Sequence, residues 1–232
     1  MIKVIPSADR HHVDAGWLDA RWHFSFSDYH DETNMNWGPL RVFNDDVIQA
    51  GGGFGMHPHR DMEIITYVLE GELEHSDHLG HREVLRPGEV QVMSAGKGIV
   101  HAEANPSKTS PVHLLQLWIM PRKRGGEPRY EQRPFAPEAR VNTLLPVVSS
   151  GDVANTIAID QDATVYVSSL QPGQRLTHSA KPNRHAYLFV TKGQVVVNGQ
   201  GVNVGDQLRA KNETELKIDA QGDAELILLD LP

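Results

Sequence analysis

Two short motifs, His57-Pro58-His59 and His101-Ala102-Glu103, restrict the fold of this chain more than any other feature. On an extended strand, side chains at i and i+2 point to the same face. His57 therefore faces with His59, and His101 with Glu103. If the two strands line one side of a small barrel, three imidazoles and one carboxylate converge on a single interior point. That donor set suits a divalent transition metal. Glycines lead into both motifs: Gly51, Gly52, Gly53 and Gly55 before the first, Gly96 and Gly98 before the second. Glycine permits tight turns and lets backbone approach closely.

The surrounding sequence reads as strands. Residues 22–27 alternate, and residues 40–43 and 47–50 flank Asn44-Asp45-Asp46, which has turn chemistry. Further strands are expected at 64–69, from Glu72 to His75, and at 82–85, 90–93 and 112–120. Residues 121–137, rich in proline, glycine and charge, read as a linker. Strands resume at 141–145, 165–167, 187–190, 195–197 and 226–229. Short strands broken by glycine turns predict an all-β sandwich or barrel.

The second half repeats the first in outline. Tyr67-Val68-Leu69-Glu70-Gly71-Glu72 compares with Phe189-Val190-Thr191-Lys192-Gly193-Gln194, and Pro87-Gly88-Glu89 with Val204-Gly205-Asp206. Aligning Gly71 with Gly193 puts Ser179 and Lys181 at the positions of His57 and His59. No histidine follows Gly205. The expectation is two consecutive barrels, residues 1–133 binding metal and residues 134–232 lacking the ligands.

Composition excludes several classes. With no cysteine, disulfides, thiolate metal sites and a cysteine nucleophile are ruled out, so a metal must sit on nitrogen and oxygen. A net charge of -8 argues against a nucleic-acid surface. No apolar run reaches membrane-spanning length, so no membrane partner is expected. Residues 1–10 show no signal-peptide pattern, which makes a cytoplasmic location the expectation.

The motifs also carry a family resemblance. Gly51-x5-His57-x-His59-x3-Glu63 and Gly98-x2-His101-x3-Asn105 resemble the two cupin motifs. The runs Asn44-Asp45-Asp46, Gly53-Phe54-Gly55-Met56-His57-Pro58-His59-Arg60-Asp61-Met62-Glu63, Met93-Ser94-Ala95-Gly96-Lys97-Gly98-Ile99 and His101-Ala102-Glu103 are similar to those of the pirin family. The resemblance spans residues 9–133 with strong motifs and thins out beyond. It implies a bicupin of two jelly-roll-like barrels with metal ligands His57, His59, His101 and Glu103. Cupins in general take their glutamate ligand from the place of Glu63. Pirins take it from the place of Glu103, so Glu63 is expected beside the site or paired with Arg60. The implied ion is one divalent transition metal, iron(II) first; nickel, copper, cobalt, manganese and zinc also suit the donors.

The resemblance further implies quercetin 2,3-dioxygenase activity, in which a flavonol and O2 react with loss of carbon monoxide. Glu103 is then both ligand and the base for the 3-hydroxyl proton. Two alternatives share the same site: a non-enzymatic, metal- or redox-dependent regulator that docks on a protein partner, and a detoxifying protein with another small aromatic substrate. Phe54, Met56, Met93, Ile99 and Trp118 are either core or pocket wall. Gln116 either orients substrate or makes a structural hydrogen bond. Asp45 and Asp46 either make a turn or hold a ligand histidine. His75, His78 and His81 read as a solvated hairpin tip ahead of a second, adventitious metal site, His113 and His23 as packing residues, and His178 and His185 as isolated.

Overall fold

Alternation of buried and half-buried residues builds the strands that matter. Leu18–Trp22 buries Leu18, Ala20 and Trp22; Leu73–Asp77 buries Leu73, His75 and Asp77; Ile99–Ala104 buries Ile99, His101 and Glu103. The period of two is that of a half-buried sheet. It puts His101 and Glu103 on the face that packs inward.

The computed structural model describes all 232 residues, and its only helical pieces are the 3-10 turns Ser7–Asp9 and Pro137–Arg140. No helix is long and apolar enough to cross a membrane. The chain divides into two units. One is His11–Phe135 with Ile159–Gln161; the other is Met1–Arg10, Ala136–Ala158 and Asp162–Pro232. The first ten residues thus group with the second unit and not with the leading barrel. Ile2–Ile5 pairs antiparallel with Gln207–Lys211, and the Arg10 guanidinium donates to the Gly205 carbonyl and lies over the Phe189 ring.

Each unit has a seven-stranded and a four-stranded sheet. In the first unit the larger sheet runs Arg129–Pro134, Glu89–Ser94, Glu63–Glu70, Val112–Ile119, Leu40–Ile48, Leu18–Trp22 and His11–Asp14. The smaller runs Gly53–His59, Ile99–Ala104, Leu73–Asp77 and Arg82–Leu85. Leu18, Trp22, Ile48, Val68 and Leu114 of one sheet pack with Leu73 and Leu85 of the other, so the core lies between them. The motifs His57-Pro58-His59 and His101-Ala102-Glu103 lie on neighbouring strands of the smaller sheet.

The second unit copies this order. Its smaller sheet runs Arg175–Ser179, Glu215–Ala220, Gln194–Val197 and Gln200–Asn203. The chain is therefore an all-β bicupin, as its repeat implies. Strand register corrects one alignment. His75 pairs with Glu103 as Val197 pairs with Ile218, and His101 pairs with His57 as Leu216 pairs with His178. His178, not Ser179, thus stands in the place of His57, while Leu216 and Ile218 replace His101 and Glu103. The slip lies between the strand and the glycine turn that follows: His57 precedes Gly71 by 14 residues, whereas His178 precedes Gly193 by 15. The second unit assembles no group of three metal-type side chains.

Other local expectations change as well. Asn44-Asp45-Asp46 is not a turn but the middle of the strand Leu40–Ile48, bonded to strands on both sides. Pairing from two neighbours overrides the turn preference of these residue types. The run 22–27 leaves its strand at Trp22; the Ser25 hydroxyl takes the Asp31 N–H, and Ser27 has a φ of 51°. The expected linker contains the strand Arg129–Pro134, which edges the larger sheet. The strand expected from Val141 begins at Leu145.

Candidate metal centre

The bulge aims the first motif. Phe54 stands opposite Glu103 and His57 opposite His101, so three steps along one strand match two along the other. Phe54 and His57 therefore share a face that strict alternation would deny them. The strands also meet very closely: a Cβ on Gly53 would lie 2.4 Å from the Glu103 carbonyl oxygen. Only glycine fits there.

His57, His59 and His101 come together. Their ring centroids are 4.8 Å (His57 to His59), 4.4 Å (His57 to His101) and 4.8 Å (His59 to His101) apart, and their nitrogens lie within 4.8 Å of one another. His57 Nδ1 is 2.7 Å from the Gly55 carbonyl, to which it can only donate. That leaves Nε2 with its lone pair. Glu103 joins through His101: Glu103, His101 and His75 place donor atoms within the same 4.8 Å. Glu103 also lines the same cavity as His57 and His59.

Two atoms mark where a cation fits. Glu103 Oε2 accepts from Gln116 Nε2 at 2.7 Å, and Gln116 Oε1 accepts from Trp118 Nε1 at 3.1 Å. Glu103 Oε1 is buried without a partner, and so is His101 Nε2. An unpaired buried carboxylate oxygen and imidazole nitrogen are costly unless something fills the gap. Three nitrogens and one oxygen are a suitable set for a divalent transition ion.

Electrostatics agrees with that reading. Burial, then the neighbouring imidazoles, pushes His101 down to about 2. Burial, then His57, pushes His59 down to about 4. Both rings therefore stay neutral, the form that binds metal. Burial raises the Glu103 carboxyl, partly offset by the Gln116 hydrogen bond. Asp46, also buried, is raised well above the usual carboxylate range by burial and by the charges of Asp45 and Glu103.

A cavity of about 440 Å³ is lined in part by His57, His59 and Glu103. Trp22, Phe26, Phe54 and Trp118 form much of its wall, with Trp22 to Phe26 at 5.2 Å and Phe26 to Trp118 at 5.4 Å, both edge to face. Asn44 and Asp46 supply polar atoms, each with a buried oxygen that has no partner. Of the apolar candidates, Phe54 and Trp118 line this space. Met93 and Ile99 are core, and Met56 is 58% exposed.

Several residues behave otherwise than their sequence setting implies. Glu63 takes the Ser94 hydroxyl at 2.6 Å and is drawn to Arg129, so Arg60 is not its partner. His113 does not rest against the core; its Nε2 is 2.6 Å from Asp45 Oδ1. Gln116 does make the structural bond to Glu103 while lining the cavity. His23 packs as expected, stacked on Phe43. His78 accepts the Val100 N–H. The hairpin-tip reading fails for His75, which is fully buried with its Nδ1 3.4 Å from His101 Nδ1. Its alternation with Leu73 and Asp77 was the available signal.

Comparison with known proteins shows which chains this one is similar to. The sequence profile of the Pirin family matches residues 6–119, and that of the quercetinase C-terminal cupin domain matches residues 146–231. The chain is 44% identical to the quercetin 2,3-dioxygenase of Escherichia coli K12, over 100% of this chain and 99% of that one. It is also 44% identical to a pirin-like protein of Caulobacter vibrioides, over 94% of both chains. The crystal structure of YhhW from Escherichia coli superimposes with a TM-score of 0.96 at 44% identity, covering 100% of this chain and 98% of that one. A nickel(II) complex of YhhW gives 0.95 at 44% identity, covering 100% and 99%.

Proposed function

The chain belongs to the pirin family, and from that premise we propose that it is a metal-dependent dioxygenase that opens the central ring of a flavonol such as quercetin with O2 and releases carbon monoxide. The observation that carries this reading is the pairing of unpartnered donors with an aromatic-walled space. Glu103 Oε1 and His101 Nε2 have no partner, and the cavity that Glu103 lines is large enough for a flat tricyclic molecule.

His57, His59, His101 and Glu103 would hold the ion, which when bound supplies Lewis acidity that favours the ionised form of the flavonol hydroxyl. Iron(II) is the first ion to test, with nickel(II), the ion of the YhhW complex, beside it. The chain's own residues do the rest. Trp22, Phe26 and Trp118 stack or edge against the rings and keep water out. The unpaired oxygens of Asn44 and Asp46 accept hydrogen bonds from substrate hydroxyls. Glu103 takes the 3-hydroxyl proton on Oε1, tilting that oxygen out of its ligand position as it does so. Gln116 fixes its other oxygen.

The test is aerobic incubation of protein loaded separately with iron(II) or nickel(II) and quercetin. Loss of flavonol absorbance with stoichiometric carbon monoxide is the expected result. Silence with every loaded ion would refute the enzymatic reading.

A further inference from the structure

The strand Leu73–Asp77 pairs with the ligand strand so that His75 stands opposite Glu103 and Asp77 opposite His101. Behind His101 this makes a buried chain of groups that none of the metal-binding motifs contains. His101 Nδ1 is 3.4 Å from His75 Nδ1, and His75 Nε2 is 3.5 Å from Asp77 Oδ2. Both contacts are long, and no nearer partner reaches His75 Nε2. Asp77 is itself ringed by donors. Its Oδ1 accepts from the N–H groups of Leu79 at 2.9 Å and His81 at 3.1 Å, and its Oδ2 meets His81 Nδ1 at 2.8 Å. The Tyr130 ring stacks on His75 at 4.7 Å and on His81 at 4.9 Å, which restrains both imidazoles.

We infer that His75 and Asp77 are positioning residues that fix the tautomer of His101, so that the nitrogen it turns to the metal carries a lone pair. The inference rests on the proposed reading that His101 is a ligand. Two facing Nδ1 atoms need one proton between them: one ring donates and the other accepts. Asp77, surrounded by N–H groups, can only accept. His75 therefore keeps its proton on Nε2, toward Asp77, and its Nδ1 is the acceptor. His101 must then donate through Nδ1, and its Nε2 is left bare. That is the buried nitrogen without a partner. His57 reaches the same state by a shorter route, through the Gly55 carbonyl. A ligand imidazole whose other nitrogen donates to an acceptor is held in orientation and made more basic.

The variant is Asp77→Asn, which keeps the shape and offers an amide donor to His75. The donor reverses the chain and places a proton on His101 Nε2. Metal-free parent and variant are titrated with nickel(II) against a competing chelator. The variant should bind about 10- to 100-fold more weakly, while circular dichroism shows its metal-free form folded as the parent is. The tautomers are also read without any substitution, from nitrogen–proton correlations of the imidazoles in metal-free parent protein. These should show His101 protonated at Nδ1 and His75 at Nε2. The opposite pair, or parental affinity in Asp77→Asn, overturns the inference. So does loss of binding in His75→Phe with none in Asp77→Asn, which would make His75 a ligand. If the parent itself takes up no metal, the metal-site reading fails, and the tautomer spectrum still decides this one.

Discussion

Substituting Glu103→Gln separates the two jobs of that side chain. One carboxylate oxygen, Oε2, is held by Gln116 at 2.7 Å; the other, Oε1, is buried and free. In the glutamine variant the amide oxygen keeps the Gln116 bond, which leaves the amide nitrogen where Oε1 was. A donor without charge then stands in place of an acceptor. The substrate hydroxyl then loses that base, while the three histidines remain. A positioned general base contributes about 10²- to 10⁴-fold in rate. At 1.36 kcal/mol per tenfold, that is about 2.7 to 5.4 kcal/mol of barrier. Stability moves the other way. The Glu103 pKa is raised on folding, so the folded state disfavours its charge above the unfolded carboxyl pKa. Removing the charge should leave the metal-free protein at neutral pH as stable as the parent or more so. The assay is flavonol turnover per bound metal, with metal content measured on the same sample and thermal unfolding of the metal-free form. A variant that holds its metal and turns over at the parental rate would refute the base role.

Gly53→Ala would drive a Cβ to 2.4 Å from the Glu103 carbonyl oxygen and 2.7 Å from Ala104 Cα, both backbone atoms. Overpacking of this kind costs about 1 to 3 kcal/mol, so denaturant unfolding should shift by that amount and nickel(II) affinity should fall with it. Asn44→Leu removes an unpaired acceptor from the cavity; loss of one hydrogen bond is worth about 0.5 to 1.5 kcal/mol. Equilibrium binding should weaken for a polyhydroxylated flavonol and not for the flavone without hydroxyls. The metal-free protein should lose stability as pH falls below about 6.5. There the unfolded chain protonates histidines that the fold keeps neutral, His101 down to about 2 and His59 down to about 4. His101 alone is worth about 2 kcal/mol between pH 6.5 and 5, and bound metal should deepen the same acid dependence. Urea unfolding at a series of pH values checks both the slope and its sign.

That His57, His59, His101 and Glu103 come together was legible because the information is local. A spacing of two on a strand fixes the face, so His57-Pro58-His59 and His101-Ala102-Glu103 could be paired before any fold was known. The repeat was legible in the same way, from glycine turns at matching places. What failed was set by partners far off in the chain. Asn44-Asp45-Asp46 has turn residues but lies between two bonded strands, Leu18–Trp22 and Val112–Ile119. His75 is buried against Tyr130, which comes from a segment that reads as a linker. The bulge that turns Phe54 and His57 to one face has no local signature beyond its glycines. The match in the second half moved from His178 to Ser179 because the stretch leading to Gly193 is one residue longer than the one leading to Gly71, which no local pattern marks.

The metal centre is tested by loading metal-free protein with one equivalent of nickel(II) or iron(II) and determining the structure by anomalous diffraction at that ion's absorption edge. The account predicts a single ion per chain, bound to Nε2 of His57, His59 and His101 and to Oε1 of Glu103, with none in the second unit. An ion elsewhere, or protein that takes up no ion under these conditions, would contradict it.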